Sequence, residues 1–239
     1  MNLLRTKSFW TRFLVSILLC ALIIPAYFLW DGIYLRYLLV FAIIVAIIET
    51  AVIFAGSRFV PVKASEVLST FLLIFCEFMA IIDITRTTRE FLGGMIFICA
   101  CTDVSAYLGG SIIGGKIIHH RPFPNVSPKK SYEGLFYGLF GGCLSAILWY
   151  MKVLEPLDAG FTIWQLLLIV PVAILGDLNE SYFKRIYDVK DSNDFLIDTP
   201  IFGLIEKPLG GRSGHGGYLD RLDSLLLVLS VELFISLVS

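Results

Sequence analysis

An all-α, polytopic integral membrane fold is predicted by three observations. Apolar residues make up 57% of the 239-residue chain and charged residues only 16%, against roughly 25% charged in ordinary soluble domains. The mean hydropathy is +0.81. Apolar windows of the length that crosses a bilayer, about 20 residues, recur along the whole sequence between polar connections.

The first window, Phe13 to Trp30, follows Arg5, Lys7 and Arg12. Basic residues before an apolar stretch also begin secretion signals, but this stretch is long and no small-x-small cleavage site follows. It reads as an uncleaved anchor. Further windows run from Tyr37 to Ala55, Val67 to Ile84, Phe91 to Ile113, Leu135 to Leu154, Phe161 to Gly176 and Leu222 to Val238. About seven transmembrane helices are therefore expected. Residues 1–90 hold the N-terminal helices, and residues 91–239 hold the two longest polar connections, 116–134 and 177–221. Cys20, Cys76, Cys99, Cys101 and Cys143 all fall inside apolar windows, where they read as small packing residues with no disulfide framework.

The cations orient the chain. Alternating the connections between two sides puts fifteen of the nineteen lysines and arginines on the N-terminal side, leaving Arg36, Arg86, Arg89 and Lys152 opposite. By the positive-inside rule the N-terminus is cytoplasmic. Both long polar connections then open on the cytoplasmic face.

Carboxylates inside spans cost a few kcal/mol each, about 2.5–3.5 for Asp at a helix centre, so they are functional candidates by default. Glu49 and Glu77 have no partner nearby in sequence and read as either protonated or paired between helices. Asp83 has Arg86 close by, which suits an interfacial role. Asp103 shares a helix face with Tyr107, four residues on, in the cytoplasmic half of its span.

The first polar connection reads "HHRPFPNVSPKKSYEG". Pro122, Pro124 and Pro128 prevent a helix. Ser127, Lys129, Lys130 and Ser131 offer hydroxyls and ammonium groups that suit a bound phosphate; the same cluster suits an anchor for acidic lipid headgroups. In the second connection, a helix continuing past Asp177 would place Asp177, Ser181 and Lys184 on one face with Arg185 beside them. Asp220 and Asp223 then begin the last span, where a helix dipole favours acids. The dipole leaves Arg221 unexplained, and also the three carboxylates Asp177, Asp220 and Asp223 at one membrane depth. Oxygen-only donors of this kind suit magnesium completed by water and substrate phosphate. "GGRSGHGG" lacks the lysine-hydroxyl ending of a P-loop and reads as a tight turn.

Together, "SYFKRIYDVKDSND" followed by "GHGGYLDRLDSLL" resembles the C-terminal signature of the phosphatidate cytidylyltransferases, and "DVSAYLGGSIIGG" with "VSPKKSYEG" resembles their upstream motifs. The resemblance covers roughly Asp103 to Gly134 and Ile174 to Leu226. It implies transfer of a cytidylyl group from CTP to phosphatidate, giving CDP-diacylglycerol and pyrophosphate at the bacterial inner membrane. Magnesium is implied, and a second, monovalent cation such as K+ is compatible. CTP and membrane phosphatidate are the implied partners, with no nucleic acid; a homodimer is compatible.

Carried over by motif, Asp177, Asp220 and Asp223 would hold metal and, with Lys184, Arg185 and Arg221, form the catalytic set. Asp103, Tyr107, Ser127, Lys129, Lys130, Ser131, Ser181, Lys190, Asp191, His215, Gly216 and Gly217 would line the substrate site. One departure is the 24-residue step from Asp191 to His215, where the family pattern has about ten. The extra segment carries Thr199 as a cap, Pro200 at a first helical position and Ile201, Leu204 and Ile205 on one face, with Pro208 ending it. It reads either as an interfacial helix beside a lipid entrance or as a tolerated surface insertion.

Two other readings compete. A CTP-dependent polyprenol kinase would use a similar nucleotide site but transfer the γ-phosphoryl group. An ion-coupled transporter would employ Glu49, Glu77 and Asp103 near the midplane, yet no inverted repeat is visible.

Overall fold

The structure is a computed structural model that describes residues 21–56, 63–157, 161–189 and 218–238. Every regular element among them is helical. Residues 21–28 are helical and lead through a 3-10 turn, Leu29–Gly32, into α1, Ile33–Gly56. There follow α2, Ala64–Arg86; α3, Arg89–Ile112; α4, Tyr132–Trp149, prolonged by a π-helical turn, Tyr150–Leu154; α5, Ile163–Ile186; and α6, Leu219–Val238.

Five stretches, Ile33–Ala55, Ala64–Arg86, Arg89–Ile112, Tyr132–Leu154 and Ile163–Ile186, are long and apolar enough to cross a membrane. The protein is therefore an integral membrane protein. Each expected window from Tyr37 onward coincides with helical structure, Ile113, Phe161 and Thr162 alone falling just outside it. α6 is as long as a span but carries Asp220, Arg221, Asp223 and Glu232. Residues 13–20 of the expected first window lie outside the described residues, as does the predicted segment at 199–208, while residues 21–30 of that window are helical. α5 runs ten residues beyond Gly176, where the apolar window ends, because its polar final turns are packed rather than bathed in solvent.

α1 shows how the bundle meets lipid. Tyr37, Phe41, Ile44 and Ile48 are exposed along one face, while Leu35, Leu39, Ile43 and Ala46 are buried on the other. Both faces are apolar, which is the pattern of a helix between lipid and protein. Burial from water then does little to hold the helices together, and close packing must. The most extensive contact, between α3 and α4, rests on small residues. Gly134 of α4 lies against the Ala106 carbonyl and Gly110 Cα of α3, so closely that a Cβ would sit 3.1 and 3.2 Å from them. One turn further, a Cβ at Gly138 would reach 3.0 Å from that of Ala106.

α6 is the hub, packing on α5, α2, α1 and α3. Leu222, Leu225, Leu226, Val228, Leu229 and Leu233 are buried around it. Central burial accounts for its polar content, since its charges meet protein groups rather than lipid tails. Contacts also fix which ends lie together. Glu49 near the end of α1 bonds the start of α6, Ser69 near the start of α2 bonds Asn179 of α5 at 2.8 Å, and Ser65 meets Tyr182 at 3.0 Å. At the opposite end Trp149 Nε1 donates to the Glu90 carbonyl at 3.0 Å, and an Arg36 Nη donates to that of Thr87 at 2.9 Å. The described helices thus alternate in direction, and one end gathers the connection after α3 with the end of α5 and the start of α6.

Candidate active site

The site forms where α5 crosses α6. A Cβ on Gly176 would stand 2.6 Å from the Asp223 carbonyl oxygen and 3.0 Å from the Ser224 Cα, so only the bare glycine lets these backbones touch. The contact draws Asp177, the next residue, toward Asp223. These two carboxylates and that of Asp103 on α3 lie within electrostatic reach of one another.

Lys130 brings a cation to this group. Its Nζ lies 2.7 Å from Asp177 Oδ2, and Asp103 also lies in its field. The other Asp177 oxygen accepts from Ser181 Oγ at 3.4 Å, the i+4 neighbour on the helix face. The connection after α3 is therefore tied to the end of α5. Arg185 makes a second tie, its Nε donating to the Val126 carbonyl at 3.3 Å.

A deeper group surrounds Lys184. Its ammonium is ion-paired with Asp220 Oδ1 and with Glu180 Oε2, the latter at 2.8 Å. Lys184 and Asp220 are each 13% exposed and Glu180 only 1%. Glu180 Oε1 is buried with no partner among the described residues. The acids thus divide: Asp220 and Glu180 gather on Lys184, Asp177 and Asp103 lie beside Lys130, and Asp223 stands between the groups, within electrostatic reach of Asp177, Asp103, Glu180 and Lys184. Asp103 is exposed, and Asp177 and Asp223 are half-buried.

The connection that delivers Lys130 is held by Glu133. Buried in the first turn of α4, its carboxylate accepts the backbone N–H of Gly115 at 3.1 Å, Ile117 at 3.1 Å and Ile118 at 2.8 Å. Gly115 has φ +75°, a left-handed conformation that a side chain would strain. Ser131 caps α4, its Oγ accepting the Gly134 N–H at 3.1 Å. Turns from Phe123 to Lys130 complete the irregular path that the prolines require.

Of the predicted residues, Asp103, Lys130, Asp177, Ser181, Lys184, Asp220 and Asp223 are brought together. Ser127 is half-buried and Lys129 exposed on the same connection, the Lys129 carbonyl accepting from Arg121 Nη1 at 3.3 Å. Tyr107 is exposed on α3 one turn beyond Asp103, and Arg221 is exposed on the first turn of α6. Ser131, by contrast, is buried as a helix cap, which accounts for its hydroxyl without a ligand. Lys190, Asp191, His215, Gly216 and Gly217 lie outside the described residues. Glu180 is the member that sequence reasoning missed, although its i, i+4 spacing to Lys184 was a visible signal.

Among the described residues no three His, Cys, Asp or Glu side chains converge as a preformed cage for one ion. Magnesium needs no such cage: it binds through one or two carboxylates and keeps places for water and phosphate oxygens. Oxygen-only donors such as Asp177, Asp220 and Asp223 fit that demand. Of the three expected ligands, Asp177 and Asp220 each hold an ammonium group, that of Lys130 and of Lys184 respectively.

Fold and cluster together define a membrane-embedded bundle with a charged, oxygen-rich site at one end. The family model described as the cytidylyltransferase family matches residues 1–200, and the chain belongs to that family. The match takes in Asp103, Lys130, Asp177 and Lys184 and ends before α6. The chain is similar to a phosphatidate cytidylyltransferase of Staphylococcus epidermidis, 39% identical over 132 residues, covering 54% of this chain and 42% of the relative. It is also similar to those of Helicobacter pylori, 35% identical over 134 residues with 55% and 41% covered, and Staphylococcus saprophyticus, 28% identical over 181 residues with 74% and 60% covered. The chain thus spans between two fifths and three fifths of the length of these relatives. No solved structure gives a significant match.

Proposed function

We propose that the protein transfers the cytidylyl group of CTP to phosphatidate, releasing pyrophosphate and leaving CDP-diacylglycerol in the membrane. The observation that carries this reading is the Lys130–Asp177 ion pair at 2.7 Å, which joins the phosphate-suited connection to the acidic face of α5. Membership of the cytidylyltransferase family supports it, as do the names of the relatives.

A phosphate oxygen of phosphatidate attacks the α-phosphorus of CTP, and the new P–O bond forms as the bond to the pyrophosphate oxygen breaks. Both substrates are anions, so juxtaposing them is a large part of the work. Lys130 and Lys184 offset that charge, with Arg185 beside them. Asp177, Glu180 and Asp220 already hold the two ammonium groups, so little reorganisation is left for the transition state. Ser127, Lys129 and Arg221 form the exposed rim. Lys190, Asp191, His215, Gly216 and Gly217 join the site through the motif resemblance alone.

Asp177, Asp220 and Asp223 are the proposed magnesium ligands; a bound ion would supply charge neutralisation and a template for phosphate oxygens. A second, monovalent cation such as K+ belongs to the same proposal. So does the topology: seven spans in the inner membrane, a cytoplasmic N-terminus and a site open to the cytoplasm. The lysine and arginine bias supports it, and the connections assigned to that face meet at one end of the bundle. Residues 91–239 are then the catalytic part and 1–90 its N-terminal helices, in a monomer or a homodimer.

The test is pyrophosphate release by the purified full chain in micelles with magnesium. Release that requires both phosphatidate and CTP supports the proposal. Release without lipid, or none, contradicts it.

A further inference from the structure

Glu49 lies near the C-terminal end of α1 and is 2% exposed. Its two carboxylate oxygens accept the backbone N–H groups of Tyr218, at 3.0 Å, and Leu219, at 2.9 Å, where α6 begins. A helix start leaves four N–H groups without intrahelical acceptors, and its dipole favours an anion there. A cap usually comes from the residue just before the helix. Here it comes from a different helix, far away in sequence.

That difference has a geometric consequence. A local cap ends a helix but leaves it free to turn or slide against its neighbours, whereas a cap fixed on α1 sets both the depth and the rotation of α6. A neighbouring contact braces α1 against α2: Thr50 Oγ1, next to Glu49, donates to Glu77 Oε1 at 2.5 Å. α6 brings Asp220 to Lys184 and Asp223 to the Gly176 crossing. Turning α6 by one residue, about 100°, would take both acids away from those partners.

We infer that Glu49 is a positioning residue for the transfer reaction: its carboxylate, reaching from α1, fixes the register at which α6 presents Asp220 and Asp223 to the site. The inference rests on the proposed cytidylyl transfer. Its contact with substrate is not required, so it acts on the rate of the reaction and not on nucleotide capture.

The test compares wild type with Glu49→Ala and Glu49→Gln in the purified full chain. Backbone amide exchange is measured along α6, and kcat and KM for CTP are measured separately. In Glu49→Ala, exchange at Tyr218 and Leu219 rises at least tenfold while Phe234 to Val238 keep their rates. kcat falls at least tenfold with KM for CTP within about threefold. Glu49→Gln, which retains one carbonyl acceptor, falls between. Unchanged exchange at Tyr218 and Leu219 would overturn the cap. Faster exchange with unchanged kcat would overturn the positioning role, and acceleration along all of α6 would reduce Glu49 to a general stability contact. A wild-type protein that exchanges slowly at Tyr218 but makes no CDP-lipid overturns the proposed function, and the catalytic role of Glu49 with it, while leaving the cap standing.

Discussion

Lys130, on the irregular connection after α3, and Asp177, on the last turns of α5, meet at 2.7 Å and close the open side of the charged cluster. Both side chains are partly exposed, 21% and 32%, so solvent screens the pair and its contribution to folding is small, about 0–1 kcal/mol. The proposed function assigns it instead to ligand binding and turnover. Lys130→Ala is expected to leave insertion and thermal unfolding unchanged while lowering kcat/KM for CTP at least 100-fold; Lys130→Arg retains the charge and recovers part of the loss. Steady-state kinetics beside a detergent melt separate the two effects, and a destabilised Lys130→Ala protein would refute this division.

Gly176 sets the approach of α5 to α6. Gly176→Ala puts a methyl group against the Asp223 carbonyl and Ser224 Cα, both backbone atoms that cannot swing aside. Overpacking of this kind costs about 1–3 kcal/mol. The melting temperature should drop, and turnover should drop further because Asp177 and Asp223 are pushed apart. Gly110→Ala is the control, since its Cβ would find neighbours only at 3.6 and 3.7 Å; it should melt within experimental error of wild type.

Lys184 carries the deeper group. Lys184→Met leaves Glu180, 1% exposed, without its cation, and breaking one side of a buried pair costs about 3–5 kcal/mol. Adding Glu180→Gln removes the stranded charge, so the double variant should regain much of the lost stability but none of the activity. Melts of the four proteins in the cycle check this. Additive losses would show that the two residues are not coupled.

The helices were readable wherever an apolar window approached the bilayer length, which is why six windows overlie α1 to α6. The apolar window ended at Gly176, while the shared face of Asp177, Ser181 and Lys184 followed if the helix continued; it does continue, with Lys130, Ser69 and Asp220 receiving its polar groups. Partnership across the fold was the least legible feature. Glu49 was visible as an acid inside a span, but its acceptance of the Tyr218 and Leu219 amides depends on how α1 and α6 pack. Asp177, Asp220 and Asp223 were readable as a set, yet not the pairing of Asp177 with Lys130 and of Asp220 with Lys184, which depends on how the helices pack. Ser131 read as a phosphate-suited hydroxyl because it follows Ser127, Lys129 and Lys130; in the structure its Oγ caps α4, accepting the Gly134 N–H.

The measurement that bears most directly on the proposed function follows two labels. Membranes containing the protein are incubated with magnesium, phosphatidate and CTP labelled either in the cytidine or at the γ-phosphate, and the lipid fraction is counted. Cytidyl transfer predicts the cytidine label in lipid and the γ-label in soluble pyrophosphate. The γ-label in lipid, with cytidine left in solution, would contradict it and make the protein a CTP-dependent lipid kinase.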